Sequence, residues 1–321
     1  MDIFLLVLSQ MLMMALLIAV GFLLSKKKLI PENSGSVISK LETFIFVPAL
    51  SLYNQLNNCT VDNFKQNSRL ILYGLLFVLM AIAIAYPLSR LFVRRTNGDG
   101  ALEYQRNIYK YALTFGNFGF MGNFIILGLF GDAMLYKYTM FTFFVSFLCY
   151  SWGLYVLIPK GESSLLKNLK KGLLTPPIIA LLIGIVCGLL NVRPYVPNFA
   201  MSALENASKC MGPAAMVLAG IVIGGYDVKE LMLNKKVYLV SLLRLIVIPS
   251  VMMLLLKAIG MDKETMMLVL IAFATPLGMN TIVYPAAYGG DTKTGASMTM
   301  ISHVLSIITI PVMYYIFIEI L

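Results

Sequence analysis

Ten apolar runs, each near twenty residues long, follow one another along this chain with short polar stretches between them. They lie at about 3–24, 36–53, 70–92, 108–130, 133–157, 176–190, 199–223, 237–258, 265–288 and 295–320. About twenty helical residues cross the ~30 Å hydrocarbon core of a bilayer, so each run predicts a membrane span. Hydrocarbon offers no partner to a free backbone amide, which restricts spanning structures to helices and closed barrels, and continuous runs of this length fit helices. Composition agrees: the chain is 59% hydrophobic and 12% charged, with mean hydropathy +0.84. A soluble chain of 321 residues needs far more charged surface. The expected fold class is an all-α polytopic membrane protein with ten transmembrane helices.

The net charge of +10 does not indicate nucleic acid, because the basic residues fall in short clusters between apolar runs. Loops 1–2, 3–4, 5–6, 7–8 and 9–10 carry about three, five, four, three and one Lys or Arg, against about six on the other side. The first set is therefore expected in the cytoplasm and both termini outside. The first run has no basic segment before it and no small-residue cleavage site, and reads as a retained span. Cys59, Cys149, Cys187 and Cys210 show neither CxxC nor metal-ligand spacing, so neither a disulfide framework nor a metal site is expected.

Two of the ten runs are broken in the middle. Thr114-Phe-Gly-Asn-Phe-Gly-Phe-Met-Gly-Asn123 puts three glycines and two asparagines inside the fourth. Each Gly costs a helix interior roughly 1 kcal/mol relative to Ala, and Asn competes for backbone hydrogen bonds. Thr275-Pro-Leu-Gly-Met-Asn-Thr-Ile-Val-Tyr-Pro285 does the same in the ninth, where Pro276 and Pro285 lack an amide hydrogen. Interrupted segments in corresponding positions of two halves point to the binding site of a secondary transporter. The halves share further features, Val47-Pro-Ala49 against Gly212-Pro-Ala214 and Phe130-Gly-Asp132 against Gly289-Gly-Asp291. Five spans per unit force the second unit to insert upside down, so inverted repeats over 1–158 and 175–321, joined by a cytoplasmic link 159–174, are expected.

A half-helix that starts after a break presents unpaired amides and a positive dipole end, which suits an anion. Asn117, Asn123 and Asn280 add amide groups, Thr281 a hydroxyl, and Gly119, Gly122 and Pro276 let the backbone open toward a ligand. These seven residues are the candidate substrate site.

The same residues carry a family likeness. Asn117-Phe-Gly-Phe-Met-Gly122 with Leu129-Phe-Gly131, Thr175-Pro-Pro-Ile-Ile-Ala180, Asn280 with Tyr288-Gly-Gly-Asp291, Leu29-Ile-Pro31, Phe46-Val-Pro-Ala-Leu50, and Arg244 followed by Pro249 resemble the auxin efflux carrier family. The likeness is to its compact bacterial malate- or malonate-permease members and covers nearly the whole chain. It implies two inverted five-helix repeats, a scaffold and a transport domain, crossed broken helices four and nine, transport of small carboxylates, and a substrate role for Asn117. The chain departs from the pattern at Phe124, where a proline is common, at the polar Asn123, and at His303, where a small hydroxyl residue is usual.

Ionisable residues inside spans are candidates for coupling or charge pairing. Lys40 with Glu42, and Glu205 with Lys209, read first as local or interfacial pairs and second as parts of an ion pathway. Arg244 reads first as an anchor snorkelling to the cytoplasmic interface and second as a carboxylate partner. His303 reads as a buried neutral imidazole before a proton site. Without HExxH, a GxSxG setting or a second histidine, enzyme chemistry lacks its parts. The function expected is a carboxylate carrier working by alternating access in a bacterial plasma membrane. The alternatives are a sodium-coupled organic-anion symporter of the bile-acid type and, behind it, a channel or receptor. Expected partners are a small carboxylate and the lipid bilayer, with a homodimer left open and nucleic acid excluded; no cofactor is expected, and the coupling ion, proton or sodium, stays open.

Overall fold

The computed structural model describes residues 3–158, 165–287 and 290–320, and every regular element among them is a helix. The framework consists of α1 (Ile3–Lys26), α2 (Ser34–Asn58), α3 (Arg69–Ser89), α4 (Gly100–Thr114), α5 (Phe118–Phe141), α6 (Phe143–Leu157), α7 (Pro176–Leu189), α8 (Asn198–Gly224), α9 (Lys235–Ala258), α10 (Lys263–Ala274), α11 (Asn280–Ala287) and α12 (Thr292–Ile320). Among the described residues, seven helices are long and apolar enough to cross a membrane by length and composition, and α6 and α7 are apolar but shorter. One of the seven, α5, is two helices end to end: Gly131, at φ 77°, turns the chain between them. That conformation is open to glycine and strained for other residues.

Pro48 and Pro249 leave the same mark on their helices. An interruption is expected at Pro48, but α2 runs through it and widens to a π turn at Glu42–Phe46. The same widening, Leu243–Val247, precedes Pro249 in α9. A proline cannot donate to the carbonyl four residues back, and its ring clashes with that carbonyl; a wider turn accommodates both without ending the helix.

The helices pack as two groups. In the first, α2 and α7 lie together and α8 packs on both α1 and α2. The second holds α3–α6 and α9–α12, and α1 also packs on α12. Within the first group backbones touch. A Cβ at Gly220 would lie 2.0 Å from Ile18 O, and one at Gly21 2.1 Å from Val217 O. Close approach through small residues is how helices associate in lipid, where no hydrophobic drive separates a helix from its solvent. Gly220→Val is expected to cost about 1–3 kcal/mol by overpacking, read as a lower thermal midpoint in detergent. Gly35→Val, where a Cβ meets only ordinary contacts from 3.6 Å, is expected to leave the midpoint in place. Equal midpoints for the two variants would contradict this packing. Outward faces carry large exposed apolar side chains, among them Leu16 on α1, Leu76 on α3, Val186 on α7 and Leu254 on α9, as a lipid-facing surface requires.

Of the expected link 159–174, residues 159–164 lie outside the described residues, as do Tyr288 and Gly289 of the second Gly-Gly-Asp motif. The rest of the link includes a basic helix, Leu165–Leu173, which packs on the π turn Cys149–Gly153 within α6.

Candidate functional site

Helix α4 ends at Thr114 and α10 at Ala274, and the residues that follow each, Phe115 and Thr275, are extended. The two extended pieces meet: Gly116 and Leu277 form an antiparallel bridge. The Asn117 amide donates to Pro276 O at 2.7 Å, and the Leu277 amide donates to Ser302 Oγ of α12 at 2.9 Å. In this way amides freed by the breaks find partners within the protein, as hydrocarbon demands. Glycine is needed here for closeness. A Cβ on Gly116 would lie 2.6 Å from Thr275 O and 2.7 Å from Arg244 Nη2, and one on Gly278 would lie 3.1 Å from Gly116 O.

Beyond the breaks, α5 starts at Phe118 and α11 at Asn280, and both starts open on one cavity. It is small and partly open to solvent, and its lining includes Gly116–Phe120, Asn123, and Gly278–Asn280. Opposite them stand Val47 and Ser51 of α2 and Pro177, Ile178 and Leu181 of α7. The cavity therefore lies between the two helix groups. Among the described residues its lining holds no Asp, Glu, Lys, Arg or His; its polarity comes from backbone ends, amides and hydroxyls.

Asn117, Gly119, Asn123 and Asn280 line this cavity. Asn117 Nδ2 lies 3.3 Å from His303 Nε2, and His303 Nδ1 lies 2.7 Å from Thr299 O. A carbonyl only accepts, so Nδ1 carries the hydrogen and Nε2 accepts one from Asn117, which keeps a second amide hydrogen. His303 is thus placed as a buried, neutral imidazole. Asn123 donates to Gly119 O at 2.6 Å, while its Oδ1 is buried without a partner. Asn280 directs its amide nitrogen to Tyr111 Oη at 2.9 Å and Cys149 Sγ at 3.4 Å. The other three candidates are not among the lining residues. Thr281 turns its hydroxyl to Gly278 O, Pro276 supplies the carbonyl that Asn117 uses, and Gly122 makes room for the Tyr138 hydroxyl, which donates to Phe118 O at 3.0 Å. At Phe124, in place of the common proline, the ring packs on Gly212.

Sequence reasoning missed one wall of the cavity. Thr139, Thr142, Ser146 and Tyr150, with Cys149, face it from the end of α5 and from α6. Their spacing of three and four residues is a helical row of hydroxyls, a legible signal hidden among the aromatics of that span, which read as packing.

Two ionisable residues stand where sequence reasoning did not favour them. Arg244 is not an interfacial anchor: it is fully buried behind the crossing. Its Nη2 donates to Ala272 O at 3.3 Å, Nε and Nη1 have no partner, and the guanidinium carbon lies 5.5 Å from the Phe273 ring centroid. A cation there complements the negative, C-terminal end of α10. Seven residues of helix is too deep for the side chain to snorkel once packed against another helix. Glu42 is not in a local pair with Lys40 either: Glu42 is fully buried with both carboxyl oxygens unpartnered, whereas Lys40 is exposed. The i, i+2 spacing puts the two on different faces. By contrast, Glu205 and Lys209 form the expected i, i+4 pair, at 2.7 Å on an exposed face.

A passage leads away from the cavity. Phe120, Tyr150, Met279 and Asn280 line both the cavity and a neighbouring void that also touches Ser39, Thr43 and Lys171. Ser39 and Val283 in turn border a wide vestibule that carries Lys26, Lys28 and Lys40 at the ends of α1, α2 and α8.

A family model described as "Membrane transport protein" matches residues 6–314. The chain is 23% identical over 304 residues to the uncharacterized transporter MJ1031 of Methanocaldococcus jannaschii, covering 93% of this chain and 95% of that one. It is 19% identical over 321 residues to the uncharacterized transporter YfdV of Escherichia coli K12, with 96% of each covered.

Proposed function

Because the chain belongs to the membrane transport protein family, the auxin efflux carrier family of transporters, we propose that it is a secondary carrier of small organic carboxylates. One observation carries the anion: two half-helix starts open on a single cavity whose lining contains no acidic side chain. Their positive dipole ends favour negative charge without a full cation in the cavity. The Asn117 amide adds a donor, and unpaired Arg244 behind the crossing adds positive potential. Asn123 Oδ1 suits a hydroxyl or a protonated second carboxyl on the substrate. Binding of the purified protein to a panel of mono- and dicarboxylates, with uncharged amides of the same shape as controls, tests the reading. Equal binding of acids and amides would overturn it.

Alternating access then consists of moving the crossing, carried by the second helix group, past the first. The cavity between the groups supports this division, and so does a passage that leaves it on one side. Counting α4 with the first part of α5 as one crossing, and α10 with α11 as another, supports ten spans in two inverted sets of five. The vestibule's lysines favour a cytoplasmic position under the positive-inside rule, which goes with both termini outside a bacterial plasma membrane. In a background without the natural cysteines, a cysteine at Lys167 is expected to react only with reagent added from the cytoplasm, and one at Asn198 only from outside. Labelling of both from the same side would rule out the inverted arrangement.

A further inference from the structure

Glu42 has no partner that accounts for it. It opens the π turn of α2, fully buried, with neither carboxyl oxygen hydrogen-bonded. The elements packed on that turn are the rest of α2, α7 and α8. On α2 the titratable groups are Lys40, exposed in the vestibule, and Tyr53 more than two turns further along. α7 offers Cys187 alone. α8 offers Glu205 and Lys209, which pair with each other, and exposed Cys210. From α6 comes Tyr150, which lines the cavity and the passage beside Thr43. Lys171 borders the void beside Ser39 and Thr43, and among the described residues no cation pairs with the acid. An isolated carboxylate in such surroundings is very costly, so Glu42 is the neutral acid in this conformation.

Its position is close to the route of the substrate. Ser39 and Thr43, within one turn of Glu42, line the passage, and Tyr150 lines both passage and cavity. Glu42 belongs to the first helix group and the crossing to the second, so relative motion of the groups alters what faces the acid.

We infer that Glu42 is a proton-binding site linked to the anion cavity, which makes the carrier a proton–carboxylate symporter. The inference rests on the carboxylate reading for its substrate. A proton from water in the passage adds to a Glu42 carboxylate oxygen and leaves the neutral acid; on the opposite face the same O–H bond breaks and returns the proton to water. An anion in the cavity repels an ionised Glu42 and so favours its protonation, and by linkage the protonated acid favours the anion to the same degree. Proton and anion therefore bind together and travel in the same direction.

The test uses the purified full chain, malonate as probe, and Glu42→Gln, a close isostere that stays neutral. Infrared spectra of the wild type are expected to show a protonated-carboxyl band at neutral pH that is lost in Glu42→Gln. Above the pH at which Glu42 ionises in the free protein, wild-type malonate affinity is expected to rise as pH falls, by up to about tenfold per pH unit, the limit for one linked proton, and to level off once the acid is protonated. The E42Q profile is expected to lose that slope while His303 is still present. In proteoliposomes, malonate accumulation driven by a pH gradient is expected to fall at least tenfold in E42Q, with malonate exchange at equal pH kept within about twofold. Glu42→Asp, which keeps an acid, is expected to retain both the band and the slope, and serves if E42Q does not fold. A wild type without the band, or an E42Q protein with the wild-type slope and accumulation, overturns the inference. Malonate that neither binds nor moves overturns the carboxylate reading, and the infrared comparison still decides whether Glu42 holds a proton.

Discussion

Asn117→Ala is expected to weaken carboxylate binding by about ten- to a hundred-fold, and Asn117→Asp to weaken it further at neutral pH. Alanine removes one amide donor, worth roughly 1.5–3 kcal/mol toward a charged acceptor. Aspartate removes the same donor and sets a carboxyl in a cavity that receives an anion. His303 shapes the pH response. Its Nε2 now accepts from Asn117; beside a carboxylate it draws closer to taking up a proton, which weakens the repulsion without removing it and leaves the substrate no free hydrogen. As pH falls the new acid protonates, repulsion disappears, and part of the affinity returns. Alanine has nothing to titrate and is expected to stay weak across the range. Asn280→Ala is expected to have a smaller effect, because the Asn280 amide is directed to Tyr111 and Cys149. Affinity of folded variants against pH is the measurement. Equal affinity for wild type, alanine and aspartate would place the anion elsewhere.

Arg244→Met is expected to lower anion affinity by roughly ten- to twentyfold while leaving the fold intact. Methionine fills similar volume without charge, and replacing a buried charge by a well-packed apolar side chain is often neutral or stabilising. The loss in binding is electrostatic: a unit charge ~10 Å from the anion, at an effective dielectric of ~20, contributes ~1.7 kcal/mol. Arg244→Lys keeps that charge while losing the planar fork over Phe273, so it is expected to bind more tightly than methionine and to lose stability. Wild-type affinity in Arg244→Met would reduce the arginine to a packing and capping role at the end of α10. Because the cation is buried, its contribution is expected to persist at high salt, unlike that of the vestibule lysines.

The helices were legible because their signal is local. Twenty consecutive apolar residues specify a span without reference to anything else, and the glycine clusters and prolines at 116–122 and 276–285 mark breaks by backbone chemistry alone. Asn117, Gly119, Asn123 and Asn280 reached the cavity for that reason: a residue beside a break lies wherever the break lies. What the sequence leaves open is which face of a helix meets another helix. Spans that are apolar all round, such as α1, carry little amphipathic phase. Thus Thr281 pointing away, the hydroxyl row of α6 pointing inward, and the burial of Glu42 and Arg244 could not be read from composition near each residue. Both buried ionisable residues sit in π turns ahead of a proline, and the extra residue in such a turn shifts the phase of everything after it. Local chemistry along the chain sets where it is helical and where it must break. That the two breaks touch at Gly116 and Leu277 comes from packing, because the contact depends on how helices far apart in sequence approach one another.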